Sequence, residues 1–148
     1  IEVETFPTPW SRASFVSQLL GRKSNIYLVA KKNKEVIGYT GITIKNSSGH
    51  ITTIAVRSDF KRKKIGTLLL ISLIRKAIER GTTRLFLEVR QSNLIAQKFY
   101  EKFSFFTAGK IKRYYSDSGE DALVMGVDDI TNHEYKDFIR KMENELIK

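Results

Sequence analysis

The chain predicts an α+β domain built on a central mixed, mostly antiparallel sheet flanked by helices. Three observations point there. Short β-branched and aromatic runs at 26–30, 36–44 and 50–56 are divided by Lys32-Asn33-Lys34 and by Asn46-Ser47-Ser48-Gly49, turn-forming stretches that make a three-stranded meander. Helical stripes then alternate with further strand-like runs, in the order strand, helix, strand, helix, strand, strand. No internal repeat, low-complexity tract or Pro/Gly/Ser-rich linker divides the chain.

Taken in order, Ser11 caps a helix expected over 11–20, where Phe15 and Leu19 share a face and Gly21 supplies a stop. The meander follows. Leu69, Leu70, Leu73, Ile74, Ala77 and Ile78 recur at helical spacing over 66–80, with Gly81 just past the end. The apolar run 85–89 reads as a strand. A second helix is expected over 94–102, capped by Ser92 or Asn93, and 105–115 and 122–127 read as strands joined by a turn-rich connector, 116–121. Thr131-Asn132-His133-Glu134 has a capping-box pattern, and Tyr135, Phe138, Ile139, Met142 and Leu146 fall on one stripe of a terminal helix. Residues 1–128 thus form the expected domain and 129–148 a helical extension of it.

Length and composition agree with one domain: 148 residues, 41% hydrophobic and 28% charged, bury a core unaided. Cysteine is absent, which excludes disulfides, thiolate metal sites and a cysteine nucleophile. The longest apolar run, 68–73, is interrupted by Ser72 and falls far short of a membrane span, and no signal peptide opens the sequence, so a cytoplasmic protein is expected. With 26 Lys+Arg against 16 Asp+Glu the net charge is +10, which attracts nucleic acid, ribosomes, anionic lipid or a phosphate-rich cofactor without choosing among them.

Chemistry concentrates at a few positions. Strand 50–56, loop 57–65 and the helix from Gly66 form a unit with five basic residues in or beside its loop. Backbone N–H groups and the positive dipole end of such a helix suit a pyrophosphate, although a solvated basic loop would carry the same charges. Glu88 ends a buried-looking strand, where a carboxylate can take a proton from an amine, directly or through water, or pair with Arg84 or Arg90. His50, one of two histidines, opens the central strand as a second candidate base or a structural residue, while His133 is assigned to the surface. Tyr100 lies one turn after Gln97 and seven positions after Asn93, either as core filler or with its hydroxyl toward a ligand. Tyr114 and Tyr115 read by themselves as ordinary strand aromatics.

Longer segments carry a family resemblance. HITTIAV-RSDF-KRKKIGTLLL resembles the acetyl-CoA-binding motif of GNAT acetyltransferases, and LEVRQSNLIAQKFYEKFSF is similar to that family's second motif. RYYSDSGEDALVM resembles the closing hairpin of the RimI-like N-terminal acetyltransferases, and FPTPWS fits the same branch. These matches come in the family's order and cover most of 6–125. The resemblance implies an α/β/α layered fold whose first strand is missing, because the chain begins where the family is partway along its first helix. It implies acetyl-CoA as cofactor, coenzyme A as product and no metal. Ile54, Ala55 and Val56 would offer backbone to the acetyl carbonyl and pantetheine beside a bulge or splayed strand edge. Lys61, Arg62, Lys63, Lys64, Ile65, Gly66 and Thr67 would hold the pyrophosphate, and Asn93 the pantetheine arm.

By the same resemblance Glu88 is the general base, His50 a second base, and Tyr100 both a cofactor contact and the general acid for the departing thiolate. Phe6, Pro7, Tyr114 and Tyr115 line the peptide slot. Thr8, beside the substrate's first side chain, is small and uncharged where some members carry glutamate, which implies relaxed acceptance of Ser, Ala and Met starts. Two departures stand out: Lys64 replaces the first loop glycine and Ser104 the glycine of the second motif. A positive φ at Lys64 would cost about 1 kcal/mol, partly offset if its ammonium meets phosphate.

The implied reaction is direct attack by a neutral amine in a ternary complex, and an α-amino group, with pKa near ~8 against ~10.4 for lysine, deprotonates more readily. Expected partners are protein or peptide N-termini, ribosomal proteins among them, with nucleic acid only as a non-specific possibility, no membrane, and a monomer or weak homodimer. Three alternatives remain: a GNAT enzyme acting on lysine side chains or small amines, a basic nucleic-acid-binding module, and a member that binds CoA without turnover.

Overall fold

The computed structural model describes residues 2–4, 25–60 and 64–147. The helix expected over 11–20 lies outside them. Among the described residues seven strands and three α-helices run as β1 (Glu2–Glu4), β2 (Asn25–Lys32), β3 (Glu35–Lys45), β4 (Ser48–Val56), α1 (Ile65–Glu79), β5 (Arg84–Arg90), α2 (Leu94–Glu101), β6 (Phe106–Tyr115), β7 (Glu120–Val127) and α3 (His133–Ile147). They form one sheet of order β1-β2-β3-β4-β5-β7-β6, in which β4 and β5 are the parallel pair and all other neighbours are antiparallel. The mixed, mostly antiparallel α+β architecture is therefore as the sequence predicts. A missing first strand is not: Glu2–Glu4 pairs with Val29–Lys31 of β2, whose outer edge offers backbone groups that three extended residues satisfy.

Local chemistry explains the boundaries. Both meander turns place two residues at positive φ, Asn33 (52°) with Lys34 (71°) and Asn46 (51°) with Ser47 (68°), the twist-matched geometry of two-residue hairpins. The second turn is shorter than expected, because Ser48 and Gly49 already pair with Lys45 and Ile44. Helix α1 ends in a Schellman motif at Gly81 (φ 82°), with Thr82 N–H donating to the Ala77 carbonyl at 2.9 Å and Gly81 N–H to Ile78 at 3.0 Å. The capping box expected at Thr131 does not form. Asn132 caps α3 instead, accepting from Tyr135 N–H at 2.8 Å, while the Thr131 amide and hydroxyl both donate to Asp129.

The core lies between the sheet and the three helices. Leu70, Ile71, Leu73, Ile74 and Ala77 of α1 are fully buried against β2, β3 and β4, each large aliphatic contributing about 1.5–3 kcal/mol. Tyr100, Phe103 and Phe105 of the α2 region and Ile130, Tyr135 and Ile139 of the α3 region enter the same cluster. Strand β5 alternates cleanly: Leu85, Leu87 and Val89 face this core, so Phe86, Glu88 and Arg90 project from the opposite face.

Candidate active site

Strands β4 and β5 pair only over Ser48↔Arg84, Gly49↔Leu85 and His50↔Phe86, after which they part. Just past that point, an extra residue in β4, Thr52, forms a bulge against Gly41 and Ile42. Ile54, Ala55 and Val56 remain bound to β3 on one side and present an unpaired backbone edge to the gap on the other. The expected bulge and splayed edge are both present, with the bulge two residues earlier than Ile54.

At the point of divergence three side chains converge. His50 Nε2 lies 2.7 Å from Glu88 Oε1, and the Tyr114 hydroxyl donates to that same oxygen at 3.2 Å. With the carboxylate accepting, Nε2 carries the ring hydrogen and a neutral His50 has Nδ1 as its acceptor. The Glu88 side chain is 13% exposed and His50 33%, so the carboxylate is sheltered yet reachable. Phe86 stacks flat on the imidazole, centroids 4.6 Å apart and planes within 1°, which fixes the ring's orientation. The negative charge of Glu88 raises the Tyr114 pKa and so keeps its hydroxyl a donor. Neither Arg84 nor Arg90 takes Glu88; Arg90 binds Asp117 through both terminal nitrogens (2.9 and 3.2 Å) and lies 4.0 Å over the Tyr115 ring.

Tyr100, on α2, lies in the main core cluster with its ring against Phe99 and Phe105. It is 7% exposed, and burial, with a smaller contribution from Tyr115, pushes its pKa up to about 12. Such a phenol stays protonated at every physiological pH. Tyr115 is also raised, chiefly by burial, against the lowering pull of Arg90. Asn93 caps α2 by accepting from Ala96 N–H at 3.1 Å, which leaves its amide nitrogen to donate elsewhere.

The start of α1 is the segment expected to hold a diphosphate. Lys64 stands at φ 64°, ψ 17°, in the left-handed conformation that the sequence comparison with glycine anticipates, and its own side chain makes no capping hydrogen bond. The N–H groups of a helix's first turn suit an anion. A Cβ on Gly66 would meet nothing nearer than 3.4 Å, so glycine is not demanded by the protein's own packing but keeps the backbone open to a ligand. The Ile65 side chain is 2% exposed in a small cluster with Ala30, Ile37 and Leu69, so only its backbone can face a cofactor. Lys61, Arg62 and Lys63, like the slot residues Phe6, Pro7 and Thr8, lie outside the described residues. His133 is a surface residue, beside Asp137 at 3.2 Å. Phe86 is a neighbour of the site that sequence reasoning passes over, and Arg90 enters there only as a partner for Glu88, although period-two alternation from Glu88 places both on its face.

Residues 1–105 match the acetyltransferase (GNAT) family. A Bacillus subtilis protein, provisionally named ribosomal protein bS18-alanine N-acetyltransferase, is 40% identical over 127 residues, which span 86% of this chain and 84% of that protein. The ribosomal protein bS18-alanine N-acetyltransferase of Escherichia coli (strain K12) is 33% identical over 129 residues, 86% of each chain. The crystal structure of the ribosomal-protein-S18-alanine N-acetyltransferase from Escherichia coli aligns with a TM-score of 0.74 at 25% identity, covering 89% of this chain and 96% of that one. A parted β4–β5 pair, together with these matches, establishes that the chain belongs to the GNAT acetyltransferase family.

Proposed function

We propose that this protein transfers the acetyl group of acetyl-CoA to the α-amino group of protein N-termini. The observation that carries the reading is the convergence of His50 and Tyr114 on Glu88 where β4 and β5 part. Acetyl-CoA, when bound, supplies the thioester carbonyl that the amine attacks. The first turn of α1, with Lys64, Gly66 and Thr67, would hold its pyrophosphate; the free edge of Ile54, Ala55 and Val56 and the Asn93 amide would take its pantetheine.

Glu88 Oε1 already accepts two hydrogen bonds, and Oε2 takes none from a described residue, so Oε2 is the oxygen placed to accept a proton from the amine or an intervening water. His50, tied to Glu88 and held by Phe86, acts as second base through Nδ1. Tyr100 offers a hydrogen bond to the departing sulfur, a role its raised pKa suits because the hydroxyl never ionises beforehand. Tyr114 and Tyr115 wall the substrate side, as Phe6, Pro7 and Thr8 are expected to do. An α-amino group asks less of Glu88 than lysine does, its pKa being about two units lower. The relatives named above act on a ribosomal protein, which makes basic ribosomal proteins a substrate class to test; cytoplasmic placement accords with it, and among the described residues no helix is long and apolar enough to cross a membrane. Residues 129–148 are read as an extension of the 1–128 domain, since Ile130, Tyr135 and Ile139 share its core.

The test is acetyl transfer to a peptide panel varied at its first two residues, with N-terminally blocked, lysine-containing peptides as controls. Free N-termini should be acetylated, with Ser, Ala and Met starts ahead of acidic ones. Equal or faster transfer to the blocked lysine peptides overturns the reading.

A further inference from the structure

Helix α3 follows the last strand, and nothing in the proposed chemistry uses it. Its best-buried polar group does reach α2. The Tyr135 hydroxyl donates to the main-chain carbonyl of Phe103 at 3.0 Å, with Tyr135 7% and Phe103 0% exposed. That carbonyl belongs to the corner ending α2. There Phe105 N–H donates to Tyr100 O at 3.2 Å and Ser104 N–H to Glu101 O at 3.0 Å, a Schellman motif with Ser104 at φ 66° in the position glycine normally fills. The Phe105 ring packs 5.7 Å from that of Tyr100, and Phe99 contacts both Tyr100 and Phe103 at 5.3 Å. Every element of the corner thus bears on the main chain or ring of Tyr100.

We propose that Tyr135 is a positioning residue for Tyr100: by holding the Phe103 carbonyl it fixes the strained corner of α2 and hence the placement of the Tyr100 hydroxyl. This inference rests on Tyr100 serving the departing sulfur. The corner needs an external hold because Ser104 occupies a left-handed conformation without glycine's freedom, so its local geometry is not self-sustaining. Water cannot replace the bond at a carbonyl this deeply buried. Docking of α3 does not depend on the hydroxyl. Ile139 is 2% exposed in the core, Ile130 N–H donates to Thr83 O at 2.8 Å, and Arg75 pairs with Glu143.

The experiment is a double-mutant cycle on kcat with Tyr135→Phe, Tyr100→Phe and the pair, accompanied by CoA affinity, the KM for peptide and melting temperature. Tyr135→Phe should lower kcat about 3- to 30-fold, as expected for a small misplacement of a reacting group, with KM and CoA affinity within twofold. In the Tyr100→Phe background it should change kcat less than twofold. Ile139→Val, which loosens the same helix without touching the Phe103 carbonyl, should leave kcat within twofold. Tyr135→Phe at wild-type kcat, or an equal loss in both backgrounds, overturns the positioning role alone. Wild-type turnover in Tyr100→Phe overturns the reading of Tyr100 and this inference with it.

Discussion

His50 is the last residue of β4 in register with β5, and its Nε2 meets Glu88 Oε1 at 2.7 Å just as the two strands separate. The pair therefore sits at the apex of the opening rather than along its length. Glu88→Gln should lower kcat by roughly 10- to 10,000-fold, the range for loss of one proton-transfer group, while CoA affinity stays within twofold. His50→Ala should cost less, because Glu88 keeps the Tyr114 hydrogen bond and its free oxygen. Turnover of Glu88→Gln within twofold of wild type in a steady-state assay would remove it from the mechanism.

Arg90 braces the proposed substrate wall. Its guanidinium joins the end of β5 to Asp117 in the β6–β7 turn, lies over the Tyr115 ring at 4.0 Å and approaches Glu120 at 3.7 Å, so it latches the hairpin that carries both tyrosines. Arg90→Ala is expected to raise the KM for peptide about 5- to 50-fold with CoA affinity unchanged, the reverse of the pattern for Glu88→Gln. Calorimetry with CoA and peptide saturation curves separate the two.

Lys64 and Ser104 share left-handed backbone at φ 64° and 66° in places where glycine would sit without strain. Ser104→Gly should stabilise the protein by about 1 kcal/mol, raising Tm by roughly 2–4 °C with kcat within twofold. Lys64→Gly should give a similar gain in Tm but weaken CoA binding severalfold and flatten its salt dependence, since an ammonium beside the cradle is lost. Equal CoA affinity for wild type and Lys64→Gly across a salt titration would show that Lys64 does not meet phosphate.

Burial of Tyr100 has a thermodynamic signature. Below pH 10 both folded and unfolded chains keep this proton; from pH 10 through about 12 the unfolded chain loses it while folded Tyr100 retains it, so stability falls across that window. The loss is on the order of 2 kcal/mol by pH 12. Tyr100→Phe should make the denaturation midpoint less steep with pH above 10, once its packing cost at pH 8 is subtracted. Parallel pH dependence in the two proteins would contradict the raised pKa.

The sequence by itself determined the three described helices, the strand order along the chain and the candidate positions for chemistry. Those signals are local: α1 announces itself through a leucine stripe and Gly81, the meander through its turns, and Glu88 through period-two alternation on β5. It also marked Lys64 and Ser104 as departures from glycine, and a residue's own φ is the quantity such a departure reports. Boundaries were less legible. The Asn132 cap displaced the expected Thr131 box because Asp129 competes for the Thr131 donors, a choice made by a neighbouring loop. Tertiary structure alone decided what required distant segments to meet: that β4 and β5 part immediately after His50, that one oxygen of Glu88 gathers side chains 38 and 26 positions away, and that Tyr135 reaches Phe103 across 32. No local propensity encodes these contacts. They follow from packing one sheet against α1, α2 and α3, which brings residues together by register and burial, not by spacing along the chain.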